Sequence, residues 1–207
     1  MFRYDRAVPR PKTHDEALRG KLLDRAGQLL AAQGPGALGL RGLAQDVGTS
    51  TTAVYSLFGG KPGLLRELYL EAFRRFGRWQ AAVPVTADPA HDLTELGLAY
   101  RAAALADPNL YPVLFSSLEL DFEPDEETIA AAMSTLAPLL AVVRRGIEAG
   151  VFAAESAEEL ANSAWGLTHG LVSLELAGRL VSGPDAEQNY RRAMAAHTRG
   201  WLAPLSD

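Results

Sequence analysis

Residues 40–61, LRGLAQDVGTSTTAVYSLFGGK, constrain what this chain can fold into more than any other stretch. Leu40, Leu43, Ala44 and Val47 recur at helical spacing, which predicts one buried face. Gly48 follows at once and suits the left-handed conformation that ends a helix. Ser50 then offers a hydroxyl to cap a second helix, Thr51 to Phe58, whose Val54 and Phe58 point inward four residues apart. Thr51, Thr52 and Ser56 are left outward. Two short helices around a glycine turn, the second presenting small polar side chains, have the form of a helix-turn-helix that enters a major groove. An ordinary αα-corner has the same local pattern, so the rest of the chain has to decide between them.

The whole chain is expected to be all-α. Leu and Ala dominate its 207 residues, 48% of which are hydrophobic. The absence of cysteine excludes disulfides, thiolate metal sites and a cysteine nucleophile. No stretch approaches the roughly 20 apolar residues of a membrane span, so a cytoplasmic protein without a membrane partner is expected. Residues 1–80 carry 13 Lys and Arg against 7 Asp and Glu, whereas residues 81–207 carry 7 against 18. That asymmetry suits an N-terminal part that meets a polyanion and an acidic remainder repelled by it.

The domain plan follows the breaks. Residues 1–12, with Arg3, Arg6, Arg10 and Lys12 between prolines, form a flexible basic arm, either a phosphate contact or a solvated tail. Residues 13–61 make a three-helix domain whose first helix opens on the capping box Thr13 to Glu16 and runs to about Gln33. Residues 62–82 are a fourth, connecting helix carrying Leu65, Leu68, Tyr69, Phe73, Phe76 and Trp79 on a continuous apolar side. Residues 83–207 are expected to form a C-terminal helical bundle, the candidate domain for ligand sensing and dimerisation. Its first helix is expected from Asp92, capped with Glu95, to Asp107. A short helix follows near Asn109 to Ser116, then an acidic loop over Glu119 to Glu127. A seventh helix contains Pro138, which should kink it. The eighth, about Ala157 to Leu180, is apolar on every side and should therefore be buried on every side. Its small-residue face, Gly166, Gly170, Ser173 and Ala177, together with Tyr190, Met194, His197 and Trp201 of a ninth helix, is assigned to a subunit interface; a central helix of a monomer is the alternative.

The order and spacing of Leu43-Ala44, Gly48, Ser50, Tyr55 to Phe58, Gly59, Lys61 and Leu64-Leu65 resemble the N-terminal domain of TetR-family transcriptional regulators. Gly39, Thr49 and Pro62 depart from the family pattern without threatening the fold. The segment Trp165 to Leu171 resembles the tryptophan-histidine-glycine (WHG) motif of one C-terminal domain type of that family. The resemblance implies a ligand-responsive homodimer, a repressor by family default, that binds double-stranded DNA at a near-palindromic operator. At such an operator, Ser50, Thr51, Thr52, Ala53 and Ser56 would open and face the recognition helix. Thr hydroxyls and Thr and Ala methyls suit base edges, and Arg41 reaches a phosphate or a base. The family's phosphate contacts carry over to Tyr55 and Lys61; for Tyr55 a ring packed under the helix is the alternative.

The effector is unidentified. Tyr100, Tyr111, Phe115, Met133, Leu136, Trp165 and His169 are the candidate pocket, although for each a core role fits as well. No cofactor, metal site or catalytic group is expected. The four histidines, His14, His91, His169 and His197, form no metal-spaced pair, and neither a phosphate loop nor a nucleophile elbow is visible. A DNA-binding regulator without any small-molecule ligand is the competing reading, and a C-terminal domain filled by its own side chains would favour it.

Overall fold

The computed structural model of the protein describes residues 12–115, 123–180 and 185–204. The described residues form α1 (Lys12–Gln33), a 3-10 turn (Pro35–Ala37), α2 (Leu40–Val47), α3 (Thr51–Phe58), α4 (Lys61–Ala81), α5 (Pro89–Ala106), α6 (Tyr111–Phe115), α7 (Glu126–Glu148), α8 (Ala157–Leu176) and α9 (Ala186–Gly200). No strand occurs among them; an isolated bridge joins Phe152 to Leu202. The basic arm residues Arg3, Arg6 and Arg10, the first four residues of the acidic loop (Glu119 to Phe122) and Ser116 lie outside the described residues.

The two short helices form where the sequence places them. Gly48 adopts φ 73°, and its N–H and that of Thr49 satisfy the last carbonyls of α2. Ser50 is extended, and its Oγ accepts from the Ala53 N–H at 3.1 Å. Gly39 stands at the head of α2 without a side-chain cap. Leu43, Ala44, Val54 and Phe58 are buried with Leu22, Leu23, Ala26 and Leu30 of α1.

This core does not close at the end of α3. It runs on through Leu64, Leu65, Leu68 and Ala72 of α4 and takes in Leu110 and Val113 at α6. Gly63 makes the junction possible: a Cβ there would overlap the Phe58 carbonyl oxygen at the end of α3. Ion pairs reinforce the seam. Arg75 bonds Asp24 of α1 at 2.7 Å and Asp107 at 3.2 Å, Arg19 of α1 pairs with Glu67, and Arg66 reaches Asp125 at 2.8 Å, just before α7.

In the C-terminal bundle α4, α5, α7 and α8 pack together, with α9 against α5 and α8. Three boundaries differ from the sequence reading. Helix α1 begins at Lys12, so Thr13 lies within it rather than capping it. Helix α5 begins at Pro89, because Asp88 accepts from the Ala90 and His91 N–H groups at 2.9 and 3.0 Å and proline fits the first turn. Asp92 is instead buried and accepts from the Thr86 N–H and Oγ1 at 2.9 and 2.6 Å and from Arg145. Burial opposes its charge, but these bonds outweigh burial and hold the Asp92 carboxyl below its ordinary value. Helix α8 ends at Leu176, with Gly178 at φ 64°.

Helix α7 is apolar and long enough, by composition and length, to cross a membrane. Its Val142, Val143 and Gly146 are buried within the bundle, and Pro138 lies inside it. Helix α8 is not buried on all sides by its own chain. Leu160, Ala164, Thr168 and Val172 face inward, while Leu174 is 44% exposed and Gly166 and Ala177 are exposed.

Gly63→Ala should destabilise the protein by about 1–3 kcal/mol, the range of overpacked cores, because its methyl meets a backbone carbonyl that cannot rotate away. Thermal or urea unfolding of the variant checks this; an unchanged midpoint would refute the packing of α3 on α4.

Candidate nucleic-acid interface and internal cavity

The first candidate site is the outer face of α3. Its apolar residues Val54 and Phe58 bury one side, which fixes what the other side shows. Thr52 and Ser56 are exposed, and Tyr55 is 55% exposed; its ring therefore lies outside the core rather than beneath the helix. Thr51 and Ala53 are half-buried at the first turn. Ser50 is engaged as the cap. Arg41, in the first turn of α2, is exposed, and Lys61 is the first residue of α4, where unpaired N–H groups favour an anion. The Ser50 cap, the exposed side chains of α3, Arg41 and Lys61 thus come from three consecutive helices.

The charge asymmetry needs a refinement. Five of the 13 basic residues are ion-paired within the protein, mostly with carboxylates of the same 80 residues, so pairing fixes where the positive charge sits without removing the excess. Arg19, Arg25, Arg66, Arg74 and Arg75 each pair with a carboxylate, Arg25 with Asp46 at 2.8 Å. Arg41 has no carboxylate partner among the described residues.

The second site is a cavity of about 280 Å³ between α4, α5, α7 and α8. Of the seven residues expected to line it, Tyr100, Phe115, Met133, Leu136 and Trp165 do so. Tyr111 and His169 stand behind the wall. The Tyr111 hydroxyl lies 2.9 Å from His169 Nδ1 and 3.0 Å from the Tyr100 hydroxyl. Burial pushes His169 below its ordinary value and both tyrosines above theirs, so all three are neutral near pH 7. A neutral imidazole has one nitrogen free to accept, which matches a hydroxyl donor at Nδ1. Their role is to fix the Tyr100 ring, whose edge meets Phe76 with ring centroids 4.8 Å apart.

Sequence reasoning misses the α4 wall: Phe73, Phe76 and Gln80 face the cavity, as do Leu93 and Leu96 of α5. The signal is present, since 73, 76 and 80 follow the helical period and Gln80 continues an aromatic stripe. Met133 lines the cavity and is 56% exposed, so the cavity opens to the surface beside α7.

The residues assigned to a subunit interface divide into two groups. Gly166 and Ala177 are exposed, Gly170 and Ser173 are half-buried with the Ser173 side chain bonded to buried Tyr111, and a Cβ added at Gly166 or Gly170 would meet nothing within 4 Å. Tyr190 and Met194 do not face outward. They are 4% and 0% exposed; Tyr190 donates to the Gly97 carbonyl at 3.0 Å, and Met194 packs on Gly97 and reaches the cavity wall. Helical spacing gives their shared face correctly, but α5 of the same chain covers it. His197 and Trp201 are not on an open face either: His197 Nε2 lies 2.9 Å from Ser163 Oγ of α8, and Trp201 is half-buried. His91 is exposed, and Glu95 bonds Arg191 at 3.0 Å, an ordinary surface pair. No group of three or more potential metal ligands occurs among the described residues.

Comparison with known proteins follows these two sites. Residues 22–68 match a family model for bacterial regulatory proteins of the tetR family, and residues 93–197 match the tetracyclin repressor-like C-terminal domain. The second span contains the Trp165, His169 and Gly170 motif. No functionally curated protein matches the chain. Among solved structures, a TetR-family regulator from Marinobacter aquaeolei VT8 is 17% identical with a TM-score of 0.76, covering 94% of this chain and 100% of its own. A protein of unknown function from Rhodococcus sp. RHA1 is 22% identical with a TM-score of 0.74, covering 95% and 99%. The TetR-family regulator PfmR from Thermus thermophilus is 23% identical with a TM-score of 0.73, covering 91% and 98%. At these identities the likeness is one of fold.

Tyr111→Phe removes the closest partner of a buried imidazole nitrogen and should cost about 1–2 kcal/mol of stability while leaving the fold intact. Unfolding midpoints with far-ultraviolet circular dichroism measure both; no loss of stability would show that the hydroxyl cluster contributes nothing.

Proposed function

Since the chain belongs to the TetR family of bacterial transcriptional regulators, and is therefore a DNA-binding regulator rather than an enzyme, we propose that it is a homodimeric repressor released from a near-palindromic operator by a small, largely apolar molecule. It works in the cytoplasm, where the operator is. The observation that carries this reading is α4. The same helix closes the core behind α3 with Leu64, Leu65 and Leu68 and walls the cavity with Phe73, Phe76 and Gln80.

On DNA, Thr52, Ser56 and the first-turn residues Thr51 and Ala53 read base edges, with Ser50 fixing the helix start. Tyr55, Lys61 and Arg41 contact phosphates, which set register without reading sequence. A two-fold dimer places two such heads at one spacing, hence the near-palindrome. The outer side of α8 around Gly166, Gly170 and Ala177, with half-buried Ser173 beside it, supports pairing with a second copy, because small residues let backbones approach.

A ligand that fits the cavity better in the non-binding arrangement of α4 shifts the population toward it. Moving occupancy from nearly full to nearly empty takes about 5.5 kcal/mol of differential affinity. The cavity itself favours this over a regulator without a ligand, whose C-terminal domain would be filled by its own side chains.

Selection from a random DNA pool should enrich a palindrome. Lys61→Ala should then weaken binding to the enriched and to random DNA alike, whereas Thr52→Ala should change the enriched sequence. Equal losses on both DNAs for Thr52→Ala would remove it from the reading face. Gly170→Arg, on a helix face with open space around it, should give a monomer by native mass measurement at micromolar concentration. It should also lose at least about tenfold in operator affinity, about 1.4 kcal/mol, while remaining folded; a dimer that survives this change does not use the outer face of α8.

A further inference from the structure

We propose that the cavity is made for an uncharged, mostly apolar carbonyl compound whose oxygen accepts a hydrogen bond from the Gln80 side chain; this rests on reading the cavity as the effector site. Gln80 is 6% exposed and lines the cavity from the last turn of α4, and its Nε2 is buried without a hydrogen-bond partner. A buried amide N–H left unpaired is costly, and such groups in a native protein call for a partner such as bound water, an ion or a ligand.

The other polar groups of the wall are already occupied. Thr135 Oγ1 donates to the Ala132 carbonyl at 2.8 Å and Thr168 Oγ1 to the Trp165 carbonyl at 2.9 Å, each within its own helix. The Tyr100 hydroxyl is held by Tyr111 and His169. The Nε2 of Gln80 is thus a donor with no internal acceptor, packed within the cavity wall on the helix that carries the reading head.

Charge narrows the class. Among the described residues, no Asp, Glu, Lys, Arg or His lines the cavity. An ionised ligand would lose its hydration and gain no counter-charge, which a low-dielectric wall makes prohibitive. Rings at Phe73, Phe76, Phe115 and Trp165 offer flat apolar surface. The volume of about 280 Å³ sits at the small end of organic-ligand pockets. A ketone, ester or lactone on a compact hydrocarbon frame meets all of these conditions, whereas a carboxylate or an amine does not.

Three probes of nearly one shape separate the possibilities: acetophenone supplies a carbonyl acceptor, cumene replaces it with carbon, and benzoate replaces it with an anion. Calorimetric titration of the full chain should rank acetophenone about tenfold tighter than cumene, with benzoate weakest. Gln80→Leu should abolish the advantage of acetophenone over cumene while cumene still binds. Gln80→Met, an unbranched apolar replacement, should do the same and guards against a packing fault in the first variant. The proposal is overturned if benzoate binds tightest, if both variants keep the acetophenone preference, or if none of the three binds. Gel-shift binding of the enriched palindrome by the same preparation separates the two levels: DNA bound without probe binding ends this inference alone, and DNA not bound ends the regulator reading.

Discussion

Everything in this molecule depends on α4 being shared by two cores. A helix of 21 residues spans about 30 Å, which is longer than the reading head needs. Its first half completes the hydrophobic core beneath α2 and α3. Its second half is a wall of the cavity. The head therefore has no closed core of its own, and α4 cannot shift at the cavity end without disturbing contacts at the other. The packing is tight at the decisive point, since Gly63 touches the Phe58 carbonyl, and tight packing transmits displacement because it has no slack to absorb it.

The ion pairs add direction to that coupling. Arg66, in the first two turns of α4, bonds Asp125 at 2.8 Å and Glu127 at 2.5 Å, and Asp125 also caps α7 through the Thr128 N–H at 2.9 Å. Those bonds hold the Asp125 carboxyl at about 2, the Thr128 N–H first and Arg66 next. It stays charged at any physiological pH. Helix α7 carries Met133 and Leu136 at the cavity, so α7 is joined to α4 twice, once through the aromatic wall and once through Arg66. Exposed ion pairs contribute little to stability, but a pair that links two moving elements needs only to differ between their arrangements.

The reading head is legible in the sequence because it is coded locally. Gly48 stops α2, Ser50 starts α3 and the intervals between Leu43, Val54 and Phe58 set the buried side; none of this needs a distant residue. The cavity is legible in part. Periodicity places Tyr100, Phe115, Met133, Leu136 and Trp165 on inward faces, but it cannot say whether an inward face meets space, as these do, or another side chain, as Tyr111 and His169 do. The same ambiguity sends Tyr190 and Met194 to a subunit interface, when a distant glycine on α5 receives both. Gln80 escapes notice because one polar residue in an amphipathic helix reads as surface; only its register with Phe73 and Phe76 points inward. Asp92 reads as a cap because an acidic residue opens many helices, while Asp88 before Pro89 is the stronger start signal.

Charge, too, changes meaning once the chain is folded. The sequence suggests a broadly basic N-terminal third, yet many of its arginines face carboxylates: Arg19 with Glu67, Arg25 with Asp46, Arg75 with Asp24 and Asp107. These pairs lie along the seams between α1, α2, α4 and the bundle, so they serve assembly and add little to the external field. Arg41, which has no carboxylate partner among the described residues, and Lys61 at the start of α4 stand near the exposed Thr52, Tyr55 and Ser56. A small focused positive region beside an acidic body favours one orientation on a duplex. In the proposed switch, the less DNA affinity that is independent of sequence and conformation, the larger the share a ligand in the cavity can remove.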